Sequence, residues 1–319
     1  MIEILNKQSY FLGVKSQKLY YTLNEFLKGK FGEKVKKIPL DAGLTCPNRD
    51  GTKGFGGCIY CDPKGSGTGL YKEGKSLEDQ IKFFLNLFKK KKFNKFIAYF
   101  QSFSNTYAPI EKLKELYDIV FIDPSIVGLA IGTRPDCIDE KVIKLLKSYQ
   151  EKGYYLWIEL GLQSIYNETL RLINRGHTFE DFLKAYILLK ENDIPIVVHI
   201  IFGLPKETKE MMMETVKTLA KLKIDGIKFH ALYIPKGSKM EKMYLEGKYK
   251  PLEMKEYAEL VAEALTYLPP TTVIHRVCSE ARAEDILAPL WVTKKMEVIN
   301  FIRKLMSEKG LYQGKNYQN

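Results

Sequence analysis

The strongest constraint on this chain is a recurring alternation of short apolar runs with segments of helical spacing. Runs rich in β-branched and aromatic residues fall at 37–41, 96–100, 126–131, 156–160, 196–202 and 227–234, each short enough for a buried strand. Between them apolar side chains recur at three- and four-residue steps, as at Ile81, Phe84, Leu85 and Phe88, at Val142, Leu145 and Leu146, and through 210–221. That spacing gives a helix one apolar face. From the second run onward the starts lie roughly 30 to 40 residues apart, the length of a strand, a crossover helix and their loops. Strands alternating with helices pair in parallel and are covered on their faces. Six units are too few to close an eight-stranded barrel, so the expected fold is α/β, a partial (β/α)6 TIM-like barrel over residues 37–244.

The flanks read differently. Residues 1–36 contain an amphipathic stretch at 20–27 and are expected to form an N-terminal helical extension across one end of the barrel. After the barrel Pro269-Pro270 breaks the chain, 271–277 reads as another strand and 293–307 as a helix, so 245–319 is expected to be a small C-terminal α/β extension. The lysine run at 89–92 follows an amphipathic helix and reads as a solvated helix end.

No stretch reaches the run of about 20 apolar residues that crosses a bilayer, and the polar first seventeen residues lack the apolar core of a secretory signal. Cytoplasmic residence and no membrane partner are the expectation. The chain carries 50 Lys plus Arg against 38 Asp plus Glu, a formal net charge of +12. Such an excess suits a polyanionic partner, because phosphate contacts reward clustered cations. Only seven of the cations are Arg, and a lysine excess also arises from genome composition or growth at high temperature.

Five cysteines, at 46, 58, 61, 137 and 278, make a poor disulfide framework, and three of them fall within sixteen residues of a Gly-rich segment. Cys46, Cys58 and Cys61 have the spacing C-x11-C-x2-C. The two-residue gap lets Cys58 and Cys61 reach one metal centre, and Gly54, Gly56 and Gly57 let the loop wrap around it. Three thiolates satisfy three irons of a [4Fe-4S] cube and leave the fourth open, where the amino and carboxylate groups of S-adenosylmethionine (SAM) can chelate. A structural zinc would want a fourth protein ligand, and the histidines at 177, 199, 230 and 275 show no paired spacing near the triad. A distant one could still fold in, leaving a zinc-bearing RNA-binding protein as the non-enzymatic alternative. The other unusual residues follow the later strand segments: 102–107, 133–136, 161–164 and 203–207. In barrels of this kind chemistry gathers where those loops converge.

The segment KIPLDAGLTCPNRDGTKGFGGCIYC at 37–61 resembles the cluster loop of the radical SAM superfamily, in the YhcC/YtqA-like subfamily related to the Elongator catalytic subunit. FQSFSNTYAPI at 100–110, GLAIGTRPDCI at 128–138, WIELGLQS at 157–164, NRGHT at 174–178, HIIFGLPKET at 199–208 and a tail with His275-Arg276 and Tyr312-Gln313-Gly314 extend the likeness over nearly the whole chain. The resemblance implies a radical SAM enzyme that cleaves SAM reductively, forms a 5′-deoxyadenosyl radical and abstracts hydrogen from a substrate. It further implies a [4Fe-4S] cluster on Cys46, Cys58 and Cys61, SAM as co-substrate, and an electron donor such as flavodoxin or ferredoxin.

Other roles follow from matched motifs. Ser104, Asn105 and Thr106 stand where the superfamily often has a Gly-Gly-Glu run that receives the amino group of SAM, although here the acid is missing. Glu159 and Gln163 match ribose and carboxylate contacts, and a carboxylate in the apolar run WIEL is costly to bury without a partner. Gly203 and Glu207 match the turn that backs the adenine, though Glu207 could instead cap the next helix. Thr133, Arg134 and Asp136 either meet cofactor or substrate, or Arg134 and Asp136 brace a Pro turn. Arg175, Gly176 and His177 are open to a substrate role, with a surface histidine as the plainer reading, and His230 and Tyr233 face either pocket or core. Cys137 and Cys278 read as small buried hydrophobes. For substrate the subfamily points to tRNA and to the C5 side chain of the wobble uridine, with carboxymethylaminomethyl becoming aminomethyl. A small-molecule or protein substrate is the alternative.

Overall fold

The computed structural model describes residues 18–62, 64, 65 and 67–318. The first seventeen residues of the expected N-terminal extension lie outside them. Nine strands are present among the described residues: β1 Val35–Leu40, β2 Lys95–Phe100, β3 Ile126–Thr133, β4 Tyr155–Gln163, β5 Ile196–Phe202, β6 Gly226–Ala231, β7 Ile234–Pro235, β8 Val273–Arg276 and β9 Ile286–Ala288. Ten α-helices alternate with them: α1 Leu23–Phe31, α2 Leu77–Lys89, α3 Ile110–Ile119, α4 Glu140–Glu151, α5 Asn167–Leu172, α6 Phe179–Glu191, α7 Lys209–Lys221, α8 Lys239–Leu245, α9 Met254–Tyr267 and α10 Lys295–Glu308.

Seven strands form one sheet in the order β1-β2-β3-β4-β5-β6-β8, each pair parallel. The sheet curls into a half-barrel and stays open between β1 and β8. Side-chain alternation divides its two faces. Ile38, Phe100, Leu129, Ile158, Val198 and Phe229 point outward and pack with helix residues such as Ile81, Leu146 and Phe182 into the main core. The helices start where short polar side chains take up free N–H groups. Thr22 and Thr178 close capping boxes on Glu25 and Asp181, and Ser76, Asp139 and Thr208 accept from the third helical residue of α2, α4 and α7.

Two expectations change. The run at 227–234 is two strands: β6 stops at Ala231, and β7 turns away to pair antiparallel with β9. The sheet also has seven strands where six were expected, because β8, from the segment expected to be appended, pairs with β6 through Gly226↔Val273 and Ile227↔Ile274. Its sequence marks it as a strand but not as the edge strand of this sheet; α9 serves as its crossover helix.

The exposed edge of β8 is tied to both ends of the described chain. Ile274 N–H donates to the Tyr21 carbonyl at 2.7 Å. Gln313 accepts from Tyr21 N–H at 2.8 Å and donates its amide to the Pro269 and Thr272 carbonyls at 2.7 and 2.8 Å. Among the described residues no helix is long and apolar enough to cross a membrane.

Candidate active site

The inner face of the sheet is layered. At the end where the strands begin, Val35, Ile97, Ala130, Trp157 and Val197 form an apolar plug closed by Leu27 of α1. One step further along the strands the side chains turn polar: Lys37, Tyr99, Glu159, His199 and Lys228. Glu159 is fully buried, with Lys37 Nζ at 3.2 Å, His199 Nε2 at 3.0 Å, Trp157 Nε1–H donating at 3.0 Å, and Lys228 in direct contact. Burial alone would raise its carboxyl, but Lys228, Lys37 and His199 hold it well below the usual carboxylate range. The charge that was costly to place in WIEL therefore has partners on β1, β5 and β6.

Above this layer lies a cavity of about 220 Å³ bordered by Cys46, Cys58 and Cys61. The loop that brings them there follows β1. The Cys46 carbonyl accepts from the N–H groups of Arg49 and Asp50, and the Cys58 carbonyl from Cys61 N–H at 3.0 Å, so each cysteine opens or closes a tight turn. Gly57 is left-handed at φ +71°, and a Cβ there would meet Arg49 Nε at 2.8 Å. Arg49 in turn donates to the Asp62 carbonyl at 2.6 Å. Asn48 and Asn174 join this loop to the one after β4: Asn48 Nδ2 donates to the Asn174 carbonyl at 2.6 Å and Asn174 Nδ2 to the Gly57 carbonyl at 2.8 Å.

The electrostatics favour thiolate at Cys58. Burial would push its thiol up, but Arg175, whose Nη1 donates to the sulfur at 3.4 Å, and Arg134 behind it bring it below its ordinary value. Burial and the Cys58 charge push Cys61 the other way, to about 11. Arg175 reaches this position because Gly161 has no side chain: its Nη2 donates to the Gly161 carbonyl at 2.6 Å, where a Cβ would also stand 2.6 Å from it.

Arg134 braces the turn, its Nε and Nη2 each 2.9 Å from Asp136 and its Nη1 donating to the Arg175 carbonyl at 2.7 Å. Burial would raise the Asp136 carboxyl, but Arg134 and Lys53 hold it at about 2. His177 is buried instead of on the surface, between the Gly161 and Thr178 carbonyls. Burial, Arg175 and Arg134 lower its ring to about 3 and keep it neutral.

Of the residues expected to touch SAM, Ser104, Arg134, Glu159 and Gln163 border the cavity; Asn105, Thr106, Gly203 and Glu207 do not. Asn105 Nδ2 donates to the Gly132 carbonyl at 2.9 Å, and Thr106 bonds the Thr133 hydroxyl and the Cys137 carbonyl. Gly203 accepts from the Tyr249 hydroxyl at 2.6 Å, and Glu207 accepts from the Ser164 hydroxyl. Each of these contacts is to an adjacent loop or helix, while the Asn105 Oδ1 is buried without a partner. His230 and Tyr233 border the cavity. Cys137 is half-buried and Cys278 buried; both are free, and burial raises both thiols, Cys137 to about 12.

Lys37, His199, Lys228 and Arg276 were given no place at the site from the sequence, although a lysine inside the apolar run GIKFHA is the same signal that singled out Glu159.

The donor set fits an iron-sulfur cluster with a bound co-substrate. Three sulfurs share one cavity, cations offset their charge, and the buried Ser104 Oγ and His230 Nε2 at its wall have no hydrogen-bond partner. Among the described residues no group of three or more His, Cys, Asp or Glu side chains is gathered as a site for a single metal ion.

Comparison with known proteins agrees with this geometry. The family profile of the radical SAM superfamily matches residues 46–219 and that of the radical SAM C-terminal domain residues 224–308. The chain is 41% identical to YtqA of Bacillus subtilis over 95% of its own length and 94% of that protein. It is 31% identical to a tRNA uridine(34) acetyltransferase of Methanocaldococcus infernus over 58% of its length, spanning 34% of that larger protein. The structure of the archaeal Methanocaldococcus infernus Elp3 superposes with a TM-score of 0.68 at 23% identity, over 88% of this chain and 64% of the other. This chain belongs to the radical SAM superfamily, whose members use a [4Fe-4S] cluster and SAM, in the YhcC/YtqA-like branch related to Elongator.

Proposed function

We propose that this radical SAM enzyme modifies the C5 side chain of the tRNA wobble uridine in the cytoplasm, converting carboxymethylaminomethyl to aminomethyl. The observation that carries the chemistry is the meeting of Cys46, Cys58 and Cys61 with Ser104 and Gln163 in one cavity at the strand ends. The RNA substrate is supported by the relation to a tRNA uridine(34) acetyltransferase and by the net charge of +12.

In this reading Cys46, Cys58 and Cys61 hold the cluster, and Arg175 offsets the negative charge that thiolate ligation builds at Cys58. Ser104 and Gln163 reach SAM directly. Asn105, Thr106, Arg134, Gly203 and Glu207 shape the loops around it, and Glu159 orders the cationic layer beneath. When bound and reduced through a flavodoxin or ferredoxin, cluster and SAM together supply a carbon radical able to take a hydrogen atom. The protein orients the substrate side chain and excludes water and stray hydrogen donors. On the substrate, a hydrogen atom leaves the methylene between amine and carboxylate for that radical, then an electron returns to the oxidised flavodoxin or ferredoxin and the amine proton goes to solvent, which gives a C=N bond. Its hydrolysis releases a two-carbon oxo-acid and leaves aminomethyl. The wobble base must leave the anticodon stack to enter.

The test is anaerobic reconstitution with SAM, a reductant and tRNA, followed by mass spectrometry of the tRNA nucleosides. Replacement of the carboxymethylaminomethyl by the aminomethyl nucleoside is expected. SAM cleavage indifferent to tRNA would transfer the reading to a small-molecule or protein substrate. A colourless protein with stoichiometric zinc after anaerobic isolation would overturn it.

A further inference from the structure

The cavity ends on a basic floor that the roles above leave unassigned. Arg276, the last residue of β8, is in register with Lys228 of β6, which is in register with His199 of β5. His230 stands two residues further along β6. Arg276 borders both the cysteine cavity and a second one, of about 640 Å³, walled by β1, α1 and β8.

Charge in this layer is unbalanced. Glu159 answers Lys37 at 3.2 Å and Lys228 in direct contact, and burial lowers the Lys228 ammonium well below its ordinary value, so the charge left over in this layer rests on Arg276. Arg276 has only Glu280, at 3.9 Å, and that carboxylate is held at 2.6 Å by Lys295. Among the described residues the Arg276 guanidinium has no hydrogen-bond partner within reach, Glu280 being an ion pair at 3.9 Å, so its donors are open. The Lys228 ammonium bonds Glu159 and the Tyr99 hydroxyl, which leaves one of its three protons. His230 Nε2 is buried without a partner. An open guanidinium whose nearby carboxylate is shared with Lys295, beside an unpartnered imidazole nitrogen, is arranged for an anion, and its planar fork matches a carboxylate.

We propose that Arg276, Lys228 and His230 form a carboxylate subsite that receives the acidic arm of the substrate. The proposal rests on the tRNA reading above, in which the group removed ends in a carboxylate. Anchoring that carboxylate on the floor holds the adjoining methylene between Arg276 and the cysteines. The aminomethyl product lacks the anchor and leaves Arg276 unpaired, so the subsite favours substrate over product by about 10- to 100-fold. The other carboxylate that could fill it is that of SAM.

The reconstituted holoenzyme is titrated with two tRNAs that differ only in carrying carboxymethylaminomethyl or aminomethyl at the wobble uridine. Dissociation constants for both, for SAM and for glyoxylate as a free carboxylate probe are measured in the wild type, Arg276→Gln and Arg276→Lys. The expected result is a 10- to 100-fold preference for the carboxylate-bearing tRNA, reduced below about 3-fold in Arg276→Gln, partly kept in Arg276→Lys, with SAM affinity unchanged throughout. A preference that survives Arg276→Gln overturns the subsite and leaves the tRNA reading intact. A parallel loss of SAM affinity overturns it by assigning the site to SAM. Glyoxylate binding that depends on Arg276, in an enzyme that treats the two tRNAs alike, keeps the subsite and overturns the tRNA reading. Glyoxylate binding unaffected by Arg276→Gln overturns the subsite.

Discussion

Three thiols separated by eleven and two residues act as one ligand set only if the loop folds them onto a common space, and here they border one cavity. Changing Cys46, Cys58 or Cys61 to Ala is expected to abolish 5′-deoxyadenosine formation in the reconstituted enzyme and to lower its bound iron; full activity in any one variant would remove that residue from the set. Glu159 carries a different load. Removing a buried carboxylate that answers Lys37, Lys228 and His199 leaves uncompensated buried charge, so Glu159→Ala should lower unfolding stability by about 3–5 kcal/mol in urea titrations. Glu207 provides a pH dependence. Burial raises its carboxyl from 4.5 to about 7, against the pull of Ser164 and Thr169. The folded chain therefore holds this proton more tightly than the unfolded one, and stability present at low pH is lost as pH rises through that window. Glu207→Gln should flatten the loss, by at most about 3 kcal/mol in stability measured between pH 5 and pH 8. An unchanged slope would place the titration elsewhere.

At the scale of single elements, β4 is the one on which most depends. It carries Trp157 in the plug, Glu159 in the cationic layer, Gly161 under Arg175 and Gln163 at the cavity wall. Its pairing with β5 slips between Gly161 and Gln163, and Gln163 is left-handed at φ 79°. A methyl group at Gly161 would stand 2.6 Å from Arg175 Nη2 and 2.8 Å from Gln163 Nε2. Gly161→Ala is therefore expected to displace Arg175 from Cys58, costing about 1–3 kcal/mol of stability and altering the visible spectrum of the reconstituted cluster. A spectrum identical to wild type would mean that Arg175 does not tune that sulfur. The sequence placed Trp157 and Glu159 in a strand and 161–164 in the loop after it; the strand in fact runs on to Gln163, and only the fold shows that Arg175, from the loop beyond, fills the gap above Gly161.

For the whole molecule, the positive charge has a measurable consequence. If the lysine excess meets tRNA phosphates, log Kd for tRNA should rise steeply and linearly with log salt, while SAM binding stays nearly flat. A shallow slope for tRNA would mean that the excess is incidental. The element order, the parallel sheet and the cysteine loop were all legible along the chain, because strand and helix periodicity and close ligand spacing are local properties. The place of the seventh strand was not: 271–277 reads as a strand, but only pairing with β6 brings Val273–Arg276 into this sheet. Asn105, Thr106, Gly203 and Glu207 likewise lie at strand ends as their motifs imply, yet each bonds a neighbouring loop or helix instead of bordering the cavity. By itself the sequence determined the spacing of the three cysteines, the half-barrel class and the family. Only the tertiary structure decided which strand-end groups stay open and that Arg276 borders the cysteine cavity, because both depend on contacts between strands far apart in sequence.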